Sequence, residues 1–414
     1  MSIRTGTTSV VFCLVASAAS VAQGLVVSTS IDVAVPGGFA LQEELHRLTP
    51  TGRKVEWPLE LLATLVGDSD GDQSFDDAPT DIDAAHHVGG GGHEAFLLST
   101  TANFTAAGGV QILDGDVFRF TASGVQIVYA ESFFQAATGT TAVDVDAFAI
   151  GPLGELYFSF AEDETSSVAA LIAQNGGAAL LDEQCVFRLD LGATTAAIHL
   201  TPAQCLAAFN QACGTTASTL IDVDGAEIDP ANPGALLLTC ASSAAALKGR
   251  VVTTFGGGQL FYVGGLEAGP SGFDFATPTS LDAIAFVPGS PAPVLRALPQ
   301  NVSVNTSATE TLSAHGFQPG ELVSFAVTDA VLPRPTCTTL PAFAGFGATA
   351  LDLSHPLLGL SLGMPAFVRT ADAFGTATFS FQVQGVPANI HAAVQALGLT
   401  TGVLSTPVVI AFLP

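Results

Sequence analysis

The sequence of 414 residues predicts an all-β protein made of a small β-propeller, with four or five blades, and a C-terminal β-sandwich. Three observations favour this fold class. Only 12% of the residues are charged while glycine is abundant, a composition that suits short strands and tight turns. One strand–turn–strand unit recurs four times, at intervals of roughly 60 to 80 residues. Beyond a proline-rich break near residue 290, further alternating runs are separated by turn residues.

The recurring unit is clearest in residues 144–160, DVDAFAIGPLGELYFSF. Apolar residues alternate in both halves and a Gly-Pro-Leu-Gly turn separates them, which predicts a β-hairpin. Three of the four copies continue into a third and a fourth strand, as expected for radially repeated antiparallel sheets. The copies begin with these elements: Asp81-Ile82-Asp83, Asp144-Val145-Asp146, Asp222-Val223-Asp224 and Ser280-Leu281-Asp282.

The last copy is incomplete, and the N-terminal segment supplies what it lacks. Strand-like runs at 25–30, 44–48 and 55–62 belong to no other copy. If the two ends meet, these runs complete the last blade and leave no open sheet edge. The sequence therefore predicts a propeller over residues 23–290.

The repeat resembles that of the NHL and SMP-30/gluconolactonase type of propeller. The likeness lies in the lines IGPLGELYFSF and DGDVFRFTASG, and it covers residues 24–290. Lactonase-like propellers place metal ligands near a central tunnel, so the resemblance implies that the second aspartate of each copy could line a cation site. The residues themselves favour a different role, in which these aspartates accept backbone N–H groups where each strand begins. The second aspartates are Asp83, Asp146, Asp224 and Asp282.

The termini and the proline-rich break define the other predicted segments. Residues 1–22 have a basic start, a short apolar run and small residues before a cleavage site, which predicts a signal peptide and a secreted, extracellular or periplasmic protein. Residues 291–299 read as a proline-rich linker, although the repeat also places the second strand of the last copy at 293–297. Residues 300–414 read as an immunoglobulin-like β-sandwich, similar to the modules appended to secreted bacterial proteins.

The charge balance limits the partners. With 11 Lys+Arg against 37 Asp+Glu, the net charge is −26, which repels phosphate backbones and anionic lipid headgroups. No run after the first residues reaches the ~18 apolar residues of a membrane-spanning helix. We therefore expect no nucleic-acid partner and no membrane span, and a protein or glycan outside the cell as the partner.

The strongest candidate site is an acidic loop at residues 68–77, DSDGDQSFDD. Alternate carboxylates and a central glycine can converge on one hard cation, and the spacing resembles the calcium loops of thrombospondin type 3 and dockerin repeats. A solvated acidic loop is the alternative. The predicted Ca²⁺ ligands are Asp68, Asp70, Asp72, Asp76 and Asp77.

Four cysteines fall within one stretch, Cys185, Cys205, Cys213 and Cys240. In an exported chain such a group favours two disulfides, and three connectivities are possible. Of these, we expect Cys205 to pair with Cys213 and Cys185 with Cys240. Free buried thiols are the alternative.

The absence of familiar catalytic motifs bears on function. The sequence contains no G-x-S-x-G, H-E-x-x-H, Walker or G-x-G-x-x-G motif. We therefore predict a secreted, non-catalytic binding or structural protein with a propeller scaffold that calcium stabilises. The alternative is a calcium-dependent hydrolase of the lactonase or glycosidase kind that acts at the central face of the propeller.

Overall fold

The computed structural model describes most of the chain after residue 22. The predicted signal peptide, residues 1–22, lies outside the described residues. The described ranges are 23–35, 38–49, 52–79, 81–89, 92–263, 266–267, 279–288, 292–306, 309–330, 337–340 and 343–414.

The protein is all-β, as predicted, with 40% strand and 14% helix. Strands are numbered in chain order. Three antiparallel sheets of four strands each follow one another between residues 84 and 260. Sheet 1 contains Ala84–His87 (β6), Phe96–Ser99 (β7), Val117–Thr121 (β10) and Gly124–Tyr129 (β11). Sheet 2 contains Val145–Ile150 (β12), Leu156–Phe160 (β13), Val186–Leu189 (β16) and Ala197–Leu200 (β17). Sheet 3 contains Asp222–Ile228 (β18), Leu236–Ala241 (β19), Val252–Thr253 (β20) and Gln259–Leu260 (β21).

Sheet 4 joins the two ends of this region. It contains Ile284–Pro288 (β24), Gln23–Val27 (β1), Leu45–Thr49 (β4) and Gly52–Trp57 (β5), in that order. Strand β1 runs antiparallel to β24, with Val26 opposite Ala285. The N-terminal strands thus complete the sheet of the last copy, as the sequence predicted.

The first strands of the four copies lie side by side. We call β6, β12, β18 and β24 the first strands; in that order each contacts the next, and β24 contacts β6. Small residues follow the second aspartates and allow this close approach. At Gly225 a Cβ atom would collide with the carbonyl oxygen of Asp282 on the neighbouring copy. The remaining small residues, Ala84, Ala147 and Ala283, are all buried.

Helices and two-stranded hairpins occupy many of the connections between the strands of the sheets. The α-helices are Leu59–Val66 (α1), Glu131–Thr138 (α2), Ala169–Gln174 (α3), Pro202–Cys213 (α4) and Pro356–Gly363 (α5), and the 3₁₀ turns are His93–Ala95, Phe255–Gly257 and Pro365–Phe367. The two-stranded hairpins are Val33–Val35 (β2) with Gly38–Ala40 (β3), Phe104–Ala106 (β8) with Val110–Ile112 (β9), Glu164–Thr165 (β14) with Leu180–Leu181 (β15), Tyr262–Val263 (β22) with Leu266–Glu267 (β23), and Thr338–Thr339 (β29) with Ala348–Thr349 (β31). Within the described ranges, no helix has the length and apolar character needed to cross a membrane.

Two further sheets are built from the C-terminal part. Sheet 5 contains Val294–Ala297 (β25), Thr309–His315 (β27) and Ala377–Gln382 (β33). Sheet 6 contains Asn301–Ser303 (β26), Val408–Leu413 (β36), Ile390–Gly398 (β34), Leu322–Asp329 (β28) and Val368–Thr370 (β32), with Val403–Leu404 (β35) beside β34 and Ala344–Gly345 (β30) beside β35. Apolar residues of both sheets, among them Leu312 and Phe325, share one hydrophobic cluster. Strand β25 lies inside the segment 291–299 for which the sequence predicted a linker.

Buried ion pairs connect the C-terminal sheets to the N-terminal part. Arg296 in β25 contacts Glu44 Oε1 at 2.8 Å through Nη1 and Glu60 Oε1 at 2.9 Å through Nε. Both carboxylates are fully or almost fully buried. Burial raises the pKa of Glu44 to about 7 in spite of the nearby Arg296 guanidinium. Arg296 is therefore the cation that allows two glutamates to be buried here.

Replacing this arginine is expected to destabilise the protein strongly. Arg296→Met keeps an unbranched apolar side chain but leaves Glu44 and Glu60 buried without a cation, which costs ~3–5 kcal/mol. The midpoint of urea unfolding, followed by circular dichroism, measures the loss. Arg188→Met is the matched control, because the Arg188–Asp190 pair is largely exposed and such pairs contribute ~1 kcal/mol or less. Equal losses in the two variants would contradict the role given to Arg296.

Candidate metal centre

The acidic loop 68–77 begins where helix α1 ends. Gly67 has φ 81° and donates its N–H to Ala63 O, which terminates the helix. Asp68 then organises the turn: its Oδ1 accepts from Gly71 N at 2.7 Å and its Oδ2 from Gln73 N at 3.0 Å. Gly71 has φ 85°, a conformation that suits glycine. The loop is therefore held by its own carboxylates.

Three of the five predicted calcium ligands come together in this loop. Oxygens of Asp68, Asp70 and Asp77 lie within 4.8 Å of one another. Asp72 and Asp76 do not belong to this group; Asp72 accepts from Ser74 N at 2.7 Å, and Asp76 accepts from the Ser74 hydroxyl. Calcium binding at this loop stays a prediction, and its ligand set is narrower than the sequence suggested.

The loop lies against the C-terminal sheets. Phe75 N donates to Asn301 Oδ1 at 2.9 Å, and His391 Nε2 lies 2.9 Å from Gln73 O. The rings of Phe75 and His391 meet edge to face at 5.9 Å. Ser69, Asp76 and Asp77 of the loop also line an open pocket of about 340 Å³. An ion held in the loop would therefore affect the contact between the N-terminal and C-terminal parts.

A second group of carboxylates is buried where the first strands meet. Oxygens of Asp146, Asp222 and Asp224 lie within 4.8 Å of one another. The second aspartates are all less than a tenth exposed: Asp83 2%, Asp146 8%, Asp224 5% and Asp282 6%. We call Asp83, Asp146, Asp222, Asp224 and Asp282 the central aspartates.

Backbone irregularities accompany two of these residues. The register between β12 and β13 shifts between Val145 and Ala147, next to Asp146. The register between β18 and β19 shifts between Asp222 and Gly225, a stretch that includes Asp224. Such bulges redirect side chains out of the regular pleat. The residues between the paired positions, Ile82, Val145, Val223 and Leu281, are fully buried apolar side chains.

The first and second aspartates of a copy have different hydrogen bonds. Asp81 Oδ1 accepts from Ile82 N at 2.8 Å and Asp222 Oδ1 from Val223 N at 2.7 Å, as expected for residues that cap the start of a strand. By contrast, the Oδ2 atoms of Asp83, Asp146 and Asp224 are buried and have no hydrogen-bond partner among the described residues; of the first aspartates, Asp144 has one such oxygen, Oδ1. The capping role predicted for all the repeated aspartates therefore leaves these three oxygens unexplained.

The electrostatics of the central aspartates follow from burial and mutual repulsion. Burial, reinforced by Asp222, Asp224, Asp83 and Asp282, raises the pKa of Asp146 well above its usual value. Burial raises the pKa of Asp222 to about 9 and that of Asp224 to about 7. Burial also raises the pKa of Asp83 and of Asp282 well above the usual range. In the absence of a cation, burial and mutual repulsion therefore favour the protonated form of these carboxyls.

The predicted disulfides are not formed in the structure. Cys185, Cys205, Cys213 and Cys240 are free thiols. Cys205 and Cys213 both lie in the continuous helix α4, where eight residues span ~12 Å, too far for the ~4.4–6.8 Å between bonded half-cystines. Cys185 and Cys240 are also unpaired, each buried in a hydrophobic cluster. Burial raises the pKa of Cys185 and of Cys205 to about 12, which makes them poor nucleophiles.

The comparisons with known proteins add no family. No protein-family model matches this chain, and no curated protein does. Among solved structures the chain is similar to macromomycin, with 19% identity over 29% of this chain and 99% of that one at a TM-score of 0.17. It is also similar to the N-terminal domain of the Streptococcus gordonii adhesin Sgo0707, with 12% identity over 89% of this chain and 99% of that one at a TM-score of 0.15. At these TM-scores neither similarity bears on fold or function.

Proposed function

We propose that this chain is a secreted, non-catalytic binding or structural protein in which sheets 1 to 4 are the blades of a four-bladed β-propeller. In this proposal sheets 5 and 6 form a β-sandwich that docks the scaffold to another component. The partner is a protein or glycan outside the cell, and the net charge of −26 disfavours a nucleic acid. The following contacts support the arrangement.

Hydroxyl groups on second strands connect successive sheets in a regular way. Ser28 Oγ donates to Ile82 O at 2.8 Å, from sheet 4 to sheet 1. Ser159 Oγ donates to Val223 O at 2.8 Å, from sheet 2 to sheet 3. Thr239 Oγ1 donates to Asp282 O at 3.4 Å, from sheet 3 to sheet 4. Two junctions thus repeat one contact, and at the third the acceptor lies one residue later in the repeat, a pattern expected for blades related by rotation.

A buried pair on the first strands adds to this support. Glu227 Oε2 on β18 lies 3.1 Å from His86 Nδ1 on β6 and accepts from Phe286 N on β24 at 3.3 Å. One carboxylate therefore contacts two of the other first strands. A closed ring explains this contact directly, because the first strands of all blades face a common axis.

The burial of the second aspartates is the observation that carries the non-catalytic assignment. A hydrolase acting at the centre would need its carboxylates in contact with substrate, and each of these four is less than a tenth exposed. Asp222, which is half-buried, is the central aspartate nearest to solvent. The clustering of Asp146, Asp222 and Asp224 is what favours the hydrolase alternative.

An activity screen separates the two candidates. The purified chain is assayed against panels of lactones and glycosides with Ca²⁺ and with a chelator, and binding is measured on immobilised glycans and on extracellular proteins. We expect no turnover above the uncatalysed rate and saturable binding to one class of partner. Turnover that Asp222→Asn abolishes, while the heat-unfolding midpoint is preserved, would overturn the proposal in favour of the hydrolase.

Calcium at the acidic loop is also part of the proposal. Asp68, Asp70 and Asp77 would supply its first ligands, and the loop's bonds to Asn301 and His391 would transmit the stabilisation to the C-terminal sheets. We expect Asp70→Asn/Asp77→Asn to remove the calcium dependence of protease resistance between the two parts of the chain. Unchanged calcium-dependent protection in that variant would contradict this site.

A further inference from the structure

We propose that the central aspartates bind one divalent cation, best served by Ca²⁺, with Asp146, Asp222 and Asp224 as its primary ligands. This site is separate from the acidic loop and goes beyond the proposed function, because it requires neither a partner nor a reaction. It rests on geometry: three carboxylates from two neighbouring first strands, β12 and β18, have oxygens within 4.8 Å of one another.

The unpartnered oxygens are the independent observation. Asp83 Oδ2, Asp146 Oδ2 and Asp224 Oδ2 belong to side chains that are more than nine-tenths buried, and none has a hydrogen-bond partner among the described residues. A buried polar atom without a partner is costly, and native proteins pair such atoms or place an ion beside them. These oxygens are therefore acceptors that an ion between the strands could use.

No ion pair among the described residues joins a basic side chain to these carboxylates, and the charged groups that act on the pKa of Asp146 are all aspartates. Asp83 is in the same situation, with Asp144, Asp81, Asp282 and Asp224 as its charged neighbours. Buried charges are normally paired or coordinate a metal. A cation from solution would allow these facing carboxyls to be buried in their ionised form.

The chemistry of the donor set selects the ion. The ligating atoms are carboxylate oxygens, which suit hard cations such as Ca²⁺ and Mg²⁺. Ca²⁺ takes six to eight oxygens in flexible geometry, whereas Mg²⁺ demands an octahedron and keeps several waters. A site with three grouped carboxylates, and with Asp83 and Asp282 close enough to affect Asp146, fits the larger ion better.

The internal repeat supports the same conclusion. The first position of the repeated Asp-x-Asp element is aspartate in three copies and serine in the last, at Ser280. The second position is aspartate in all four copies. A residue needed only to cap a strand could equally be asparagine, serine or threonine. An ion on a shared axis would require a charged ligand from each strand, which is the pattern of Asp83, Asp146, Asp224 and Asp282.

Counting bound ions tests the proposal. Full-length chain is stripped with a chelator and dialysed against CaCl₂, and the calcium per folded chain is measured by mass spectrometry of the metal. Asp146→Asn/Asp224→Asn is expected to hold one ion fewer than the wild type. Asp70→Asn/Asp77→Asn, the matched control in the loop, is expected to keep the central ion. A double central variant with undiminished calcium content would overturn the proposal.

A second variant covers the case in which the double variant does not fold. Asp222 is half-buried, so Asp222→Asn should disturb the interior least. We expect its calcium affinity to fall on the order of tenfold or more with the heat-unfolding midpoint of the stripped protein preserved or raised. Unchanged affinity would overturn the site. Turnover by the wild-type chain would instead overturn the proposed function and leave the ion count unaffected.

Discussion

Removing residues 23–57 is expected to abolish cooperative folding of the rest of the N-terminal region. These residues hold β1, β4 and β5, so β24 would lose its partner in sheet 4. The deletion also removes buried apolar side chains, among them Leu25, Val26 and Trp57. At ~1.5–3 kcal/mol for each large apolar side chain, the combined loss is as large as the whole ~5–15 kcal/mol by which a domain is normally stable.

The comparison is between chains that begin at residue 23 and at residue 58. Heat unfolding followed by near-ultraviolet circular dichroism should show a sharp transition for the first, and for the second only the transition of the C-terminal sheets. A peptide of residues 23–57 added to the shorter chain is expected to restore order, because it supplies the missing strands. A shorter chain with the full-length transition would contradict the role of β1 in closing sheet 4.

The stability of the cation-free protein is expected to fall as pH rises from about 4 to about 9. Burial raises the pKa of Asp81, Asp144 and Asp224 to about 7 and that of Asp222 to about 9. Between the unfolded and the folded pKa, the folded state binds more protons than the unfolded state, so the free energy of unfolding decreases with pH. At ~1.4 kcal/mol per pKa unit, the total amounts to several kcal/mol.

The facing charges all act in the same direction. The groups that affect these carboxyls include Asp32, Glu43, Asp114, Glu131, Glu162, Glu183 and the central aspartates themselves. Calcium should reverse the loss at pH 8, since an ion that binds only the folded state stabilises it. Asp146→Asn/Asp224→Asn should flatten the pH profile without calcium. A chelator-treated wild type with a constant unfolding midpoint from pH 5 to 8.5 would contradict buried, mutually repelling carboxyls.

The strand architecture could be predicted from the sequence because it depends on local patterns. The hairpin of residues 144–160 is present as β12 and β13, and the N-terminal strands complete sheet 4. The strand β25, by contrast, lies in a segment predicted as a linker. The repeat does indicate a short strand at 293–297, but as the second strand of the last copy, whereas β25 pairs with β27 of sheet 5. Such a choice of partner leaves no local signal.

The predicted disulfide between Cys205 and Cys213 is wrong, and the sequence contains the start of the helix that excludes it. Thr201 begins helix α4 with a capping box, in which its hydroxyl accepts from Gln204 N and the Gln204 side chain accepts from Thr201 N, and Pro202 occupies the first turn. The run T-P-A-Q is a recognised start of a helix. A helix from 202 onward places Cys205 and Cys213 on separate turns, which excludes their disulfide.

The central aspartates show what spacing alone cannot decide. Their recurrence in every copy favours a structural role when each copy is taken alone, because the repeat carries no information on how the copies pack. The convergence of Asp146, Asp222 and Asp224 depends on how the first strands pack together, which small residues such as Gly225 permit. Likewise, only through-space geometry separates Asp68, Asp70 and Asp77 from Asp72 and Asp76 in the acidic loop.

The most direct test of the account is a crystal structure of the full-length chain grown with calcium, with anomalous scattering to locate the ions. We predict four sheets around one axis and an anomalous peak between Asp146, Asp222 and Asp224, ~2.3–2.6 Å from their carboxylate oxygens. Central carboxyls that hydrogen-bond to one another through shared protons, with no peak between them at saturating calcium, would contradict it.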